Sequence, residues 1–355
     1  MLKIQNITFI LIFFILLSCT PKKLKHEGRK INDMLGRTVE LPDSITGIIG
    51  ISPGTVRLLA YLNAVPMLKG VEETETRGNR PYNMAYPEIA TMPVIGPMFG
   101  GDAELIAGQK PDVIFSTYIT TSEADELQTK TGIPVIALQY GDPGKKKELF
   151  YNSLSLIGNI IGKKQRTDSV IAYIEHVIED LDARTKDIPE NKKPEIYIGG
   201  VSNRGAHGIT STDPSYGPFP FINTKNIAQE YTTNDHSIYI DIEQLIKWDP
   251  DIIFLDCAGI EIIKKEIDDN KKTYNTLKAF RDSMIYLVQP YNSYTTNFAT
   301  ELVNSYYIGK TIYPEQFSDI RVENIAGSIY TTLLGSNVYK QMLYYYGGYS
   351  KYTSY

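Results

Sequence analysis

The chain is poor in cysteine, tryptophan and histidine. It holds 355 residues but only 2 cysteines, 1 tryptophan and 4 histidines. Cys19 closes an N-terminal apolar run, so Cys257 stands alone in "DIIFLDCAG". One thiol builds neither a disulfide framework nor a cysteine-rich metal site, and Cys257 reads as a small buried hydrophobe. His26, His176, His207 and His236 are scattered, and at most two of them can reach a common cleft. That disfavours a bare Zn2+ or Mn2+ site built from several histidines. Charge of one sign is missing as well. Lys+Arg 36 against Asp+Glu 41 gives a net charge of -5, and no basic run is dense enough to neutralise a phosphate backbone, which argues against nucleic acid as a partner. Two enzyme signatures are absent too. "GVSNRG" is one residue too long for G-x-S-x-G, and no G-x-G-x-x-G opens a helix after the first strand, so an exported α/β hydrolase or cofactor enzyme is the weaker, different-class reading.

What is present begins at the N-terminus. Lys3 precedes the apolar run "FILIFFILL" (Phe9 to Leu17) and "SCTPKK" follows. The run is shorter than the roughly 20 residues that span a bilayer and suits the apolar part of an export signal. "LLSC" resembles a bacterial lipobox, with 1–18 as leader and Cys19 as the lipidated new N-terminus; the alternative is a leader that is cut off with Cys19 as an ordinary small residue. Residues 19–37 then read as a polar, basic tether.

Beyond the tether, "GIIGISPGTVRLLAYL" reads as strand, Pro-Gly turn and helix, and short apolar strands then alternate with helical patterns up to Leu138. This indicates a largely parallel α/β lobe over 38–144. From 145 to 190, Leu154, Ile157, Ile161, Val170, Ile174, Val177, Ile178 and Leu181 keep three- and four-residue spacing, which predicts a long linker helix with an interruption near Gly162. A second α/β lobe covers 191–296. The tail, 297–355, is helical, and its Tyr339, Tyr344, Tyr345 and Tyr346 read as packing residues.

One device occurs twice. "DAELIAGQKPDVIF" from Asp102 and "DIEQLIKWDPDIIF" from Asp241 align without a gap, sharing Asp102/Asp241, Glu104/Glu243, Pro111/Pro250, Asp112/Asp251, Ile114/Ile253 and Phe115/Phe254. Each copy predicts a helix capped by its aspartate, stopped by its proline and followed by a strand. Glu104 and Glu243 fall in the first helical turn, where negative charge is stabilising. Capping accounts for each glutamate singly but not for a shared position in two lobes, unless duplication preserved it.

A lipoprotein leader, two α/β lobes, one long connecting helix and "E-x-(6)-PD(V/I)IF" in each lobe resemble the periplasmic substrate-binding proteins that feed iron-siderophore, haem and cobalamin ABC importers. The resemblance covers about Lys30 to Tyr345. It implies two Rossmann-like lobes with mostly parallel sheets joined by a single long linker helix, modest closure on a ligand, no catalysis and no resident cofactor. It also implies a monomer that partners a dimeric permease, with Glu104 and Glu243 as one anionic foot per lobe. The protein is then exported and held to a bacterial membrane by its lipid, facing the periplasm or cell exterior.

Ligands of open parallel sheets sit beyond the carboxyl ends of the strands. Those ends offer Ser52; Ser116, Thr117 and Tyr118; Arg204, His207, Thr210 and Ser211 in "SNRGAHGITST"; and Tyr291 and Tyr294 in "QPYNSYTTN". Arg80 and Tyr82 in "TRGNRPYNMAYPE", together with "GPMFGG", are expected to flank the same cleft. The "SNRGAHGITST" loop also reads as a polar surface turn. Tyr291 and Tyr294 can stack on a chelate, hydrogen-bond it or bind Fe3+ as phenolates, and His207 can be a donor, an anion contact or a metal ligand. The resulting expectation is an iron chelate as transported ligand. A molybdate- or tungstate-type oxyanion is the runner-up, and cobalamin or haem is less favoured.

Overall fold

The computed structural model describes residues 28–202, 205–231 and 237–353. The leader, Cys19, most of the tether, Arg204 and His236 lie outside the described residues. In the first lobe, β1 (Arg29–Asn32) and β2 (Thr38–Leu41) form an antiparallel hairpin. Residues 29–37, read from sequence as tether, are therefore folded. Asp33 shapes the turn by accepting from the amides of Leu35 at 3.0 Å and Arg37 at 2.9 Å, and it pairs with the Arg37 side chain at 2.8 Å.

The aliphatic runs that follow are buried on both faces, as parallel strands covered by helices are. They form β3 (Ile48–Ile51), β4 (Val113–Ser116) and β5 (Val135–Ala137), paired in parallel with β4 in the middle. The second lobe repeats the plan. Its strands are β6 (Ile196–Gly199), the short antiparallel pair β7 (Ser211–Thr212) and β8 (Ile238–Tyr239), then β9 (Ile252–Asp256), β10 (Ile285–Val288) and β11 (Ser350–Lys351). The main sheet runs β11-β10-β9-β6, parallel except for β11 at its edge.

Each copy of the repeated segment thus supplies the middle strand of its lobe's parallel set. The repeated aspartate ties that strand to its neighbour. Asp112 accepts from the Thr46 and Gly47 amides at 2.6 and 2.8 Å, just before β3, and Asp251 accepts from the Glu195 amide at 2.9 Å, just before β6. The copies differ at their caps: the Asp102 side chain accepts from the Glu104 and Leu105 amides, whereas Asp241 makes no side-chain cap bond.

The expected linker is two helices, Lys147–Ile160 and Lys164–Thr185. Gly162 breaks it with φ 71, a left-handed conformation open to glycine. The second helix, 22 residues and so roughly 33 Å long, is the connecting rod. Its Val170, Ile174, Val177 and Leu181 enter one apolar core with Leu154 and Ile157 of the first helix and Phe298, Leu302 and Tyr306 of the tail helix Phe298–Ile312.

A buried arginine fixes how the second lobe's last loop meets the first lobe. Arg57, in the helix Thr55–Tyr61, is 1% exposed. It donates to Asn297 Oδ1 at 2.9 Å, to the carbonyls of Thr296, Ser293 and Tyr294 at 2.9, 3.0 and 3.2 Å, and to the Tyr140 hydroxyl. Replacing Arg57 by alanine is expected to cost about 3 kcal/mol or more of unfolding free energy, because buried and half-buried acceptors lose a charged donor. Urea denaturation reads it, and Arg57→Lys should recover little, since one ammonium cannot serve this fan of acceptors.

Candidate functional site

The carboxyl ends of the strands and the tail enclose a cleft of about 1250 Å³. The first lobe contributes Thr74, Arg77, Asn79, Arg80, Met98 and Phe99. Across from them stand Ser202 and Gly205 after β6, Glu261 and Lys264 on the helix Ile260–Asp269, and Asn292 to Tyr294 after β10. Tyr345 to Gly348 of the tail close a third side.

The cleft's cations are mostly engaged. Arg80 donates to the Thr74 carbonyl at 2.9 Å and hydroxyl at 3.0 Å, pairs with Glu75 at 3.5 Å, and lies 5.2 Å from the Tyr294 ring centre. Lys264 donates to Glu261 at 2.9 Å. Arg77 is exposed at the cleft with no ion-pair partner among the described residues. Aromatic faces complete the lining: Phe99 meets Tyr294 edge-on at 5.8 Å, and Tyr345, 57% exposed, stands against Tyr346 at 4.7 Å. The Tyr346 hydroxyl donates to the Asn79 carbonyl at 2.7 Å, tying tail to first lobe.

Behind this wall, Glu72 accepts from the Ser52 amide at 3.0 Å, the Gly100 amide at 2.8 Å and the Tyr294 hydroxyl at 2.6 Å. Tyr294 comes from the second lobe, so this bond also bridges the lobes.

The family model for periplasmic binding proteins matches residues 48–291. The chain belongs to that family. Among its relatives, the molybdate-binding protein MolA of Haemophilus influenzae is 22% identical, over 89% of this chain and 94% of that one. Its molybdate-bound structure superposes with a TM-score of 0.67 at 21% identity, covering 87% of this chain and 98% of that chain. The uncharacterized ABC transporter substrate-binding lipoprotein YvrC of Bacillus subtilis is 19% identical over 81% of this chain and 87% of its own. A periplasmic solute binding protein from Veillonella parvula superposes with a TM-score of 0.71 at 18% identity, covering 90% of this chain and 96% of that one. At these identities the superpositions establish the two-lobed fold.

In this periplasmic binding protein the residues expected at the site separate. Arg80 and Tyr294 line the cleft. Ser52 and the exposed Tyr118 instead line a smaller hollow of about 360 Å³ beside Phe99. Tyr82, Ser116, Thr117 and Ser211 are fully buried, with hydroxyls spent internally: Tyr82 on Glu75 at 2.6 Å, Ser116 on the Thr117 carbonyl at 3.1 Å, Thr117 on the Pro53 carbonyl at 2.7 Å, Ser211 on the Val201 carbonyl at 2.7 Å. They are supports, because a strand-end hydroxyl turned inward must find a partner in the protein. Thr210 is half-buried and its carbonyl accepts from Ile240, away from the cleft lining. His207 bonds the Tyr239 hydroxyl at 2.9 Å, also outside that lining. Tyr291 is buried and its oxygen accepts from the Gly217 amide at 3.1 Å. Burial holds the Tyr291 and Tyr294 hydroxyls well above the usual phenol range, so both are protonated in the ligand-free protein. Sequence reasoning missed Arg57 and Glu72, and assigned Tyr345 and Tyr346 to packing.

Beside Tyr291, two buried carboxyls are raised by burial, Asp213 to about 7 and Glu301 to about 8, the latter helped by Asp142 and Asp213. A carboxyl raised on folding holds its proton in the native state after the unfolded chain has released it, so stability falls as pH rises. The loss should run from the ordinary value of 4.5 to about 8 for Glu301. Thermal melts between about pH 5 and about pH 9 should show a falling midpoint, and Glu301→Gln should flatten that slope.

Proposed function

We propose that this periplasmic binding protein captures a bulky metal chelate of the siderophore type between its lobes and delivers it, without chemistry, to the permease of an ABC importer. The size and composition of the cleft carry the reading. About 1250 Å³ is more than the roughly 300 to 1000 Å³ that drug-sized ligands occupy. Its walls join aromatic faces to arginine, which suits a large, partly flat, anionic ligand. Haem and cobalamin are metal complexes of comparable bulk and belong among the probes.

A tetrahedral oxyanion is the second reading, favoured by the name of the Haemophilus relative. Against it, Arg80 and Lys264 already face carboxylates, so the cleft offers few unspent donors to a small dianion.

The membrane-facing features belong to the same proposal. Residues 1–18 serve as leader and Cys19 as lipid anchor, a reading the lipoprotein name of the Bacillus relative supports. Glu104 and Glu243 are both exposed, in the first turns of equivalent helices, and neither carboxylate has a partner among the described residues. Their charges are free to meet cations on a permease, one from each lobe.

Native mass spectrometry of the purified chain with ferric tris-catecholate, ferric citrate, molybdate, tungstate, haem and cobalamin is expected to retain a ferric chelate. Retention of molybdate or tungstate alone would sink the chelate reading. Glu104→Arg and Glu243→Arg should each lower transport by about tenfold while ligand affinity stays within about twofold. Unchanged transport in proteoliposomes would end the docking assignment.

A further inference from the structure

We infer that Glu72 is a selectivity device, a resident carboxylate that fills the anion-binding nest at the end of β3 and so keeps free tetrahedral oxyanions out of the site. The inference rests on the chelate reading above. The carboxyl end of β3 is where open parallel sheets receive ligands. There the backbone is turned so that amides converge: Ser52 has φ 69, a left-handed value uncommon outside glycine, and Gly100 has φ 133. Converging amides of this kind bind anions. Here they are spent on the chain's own side chain, for Glu72 is 0% exposed and takes both amides.

Tyr294 adds a third donor from the opposite lobe at 2.6 Å. The next carboxylate, Glu75, is also 0% exposed and takes the Tyr82 hydroxyl at 2.6 Å and Arg80 at 3.5 Å. A dianion approaching this wall finds the Ser52 and Gly100 amides already taken by Glu72, with a second buried carboxylate, Glu75, beside it. A chelate that buries its metal and spreads its charge over a wide surface needs no such nest and can use the aromatic and guanidinium faces in front of it.

Glu72→Ala leaves the Ser52 and Gly100 amides and the Tyr294 hydroxyl without their acceptor, so a small anion should replace what was removed. The full chain, purified in detergent, is titrated by calorimetry with molybdate, sulfate and ferric tris-catecholate, and each variant is melted with and without the anions. The wild type should show no molybdate binding up to millimolar levels. Glu72→Ala should bind molybdate or sulfate at least about tenfold more tightly than the wild type and gain melting temperature from the anion, where the wild type gains none. Glu72→Gln, which keeps the volume, should move the same way by less, and it decides the matter if Glu72→Ala does not fold.

The inference is overturned if the wild type binds molybdate as tightly as the variants. It is equally overturned if a cooperatively melting variant gains no anion affinity. An anion gain at Glu72 together with no retention of the ferric chelate by the wild type would uphold the nest and overturn the chelate reading instead.

Discussion

The cleft depends on a positive charge that never reaches it. Arg57 is buried with no carboxylate partner among the described residues, and its charge is met by an amide oxygen, three backbone carbonyls, the Tyr140 hydroxyl and the rings of Tyr82 and Tyr140 at 5.1 and 5.8 Å. A buried guanidinium is tolerable only when its donors are satisfied. The loop from Ser293 to Asn297 must therefore present its carbonyls inward, and Tyr294 and Thr295 take left-handed φ values of 51 and 63 to do so. With the carbonyls held, the Tyr294 side chain reaches across to Glu72, and Thr295 meets the Tyr118 hydroxyl at 3.1 Å. One arginine in the first lobe thus sets where a cleft-lining loop of the second lobe sits.

The duplicated segment solves a different problem, how to put a glutamate at the same position of each lobe. Each copy makes the middle strand of its parallel set, the position most constrained by neighbours on both sides. Each copy's aspartate, Asp112 or Asp251, ties that strand to the one beside it. A glutamate one short helix upstream is therefore placed by the best-anchored part of each lobe. Side chains on such elements are held more accurately than side chains on loops. The loss of the side-chain cap at Asp241, while Asp102 keeps its own, shows that the shared glutamate position does not depend on a shared cap.

Much of the architecture was legible because it rests on local rules. Strand and helix alternation, the break at Gly162 and the twin helix-strand units follow from periodicity, a glycine and a repeat that any reader can align. The site was less legible, for a physical reason. Strand ends can be located from sequence, but whether a hydroxyl there points into a cleft or into the protein depends on its partner. Ser116, Thr117 and Ser211 found partners inside, whereas Tyr294 crossed the lobe boundary. Arg57 looked like any helix residue in "GTVRLLAYL", since its five acceptors lie in a distant loop and in Tyr140. The tail tyrosines followed an apolar helical pattern, yet Tyr345 and Tyr346 end that helix at the cleft, just before Gly347 and Gly348 turn the chain back to pair β11 with β10.

The distribution of charge in the cleft then constrains how it can select. Arg80 answers to Glu75 and Lys264 to Glu261, and in the adjoining hollow the amides of Ser52 and Gly100 answer to Glu72. A site whose donors are matched from within gains little from a ligand's net charge, because each new contact must displace an existing one. It gains instead from area: Phe99, Tyr294, Tyr345 and Tyr346 present rigid faces whose burial costs little side-chain entropy. Arg77 is the exception, a cation at the cleft with no ion-pair partner among the described residues, and it can attract an anionic ligand toward the opening before the aromatic faces bind it. On the proposed chelate reading, small anions are drawn by the same cation but have no surface to cover, and discrimination would fall to contact area and to the proposed nest at the end of β3.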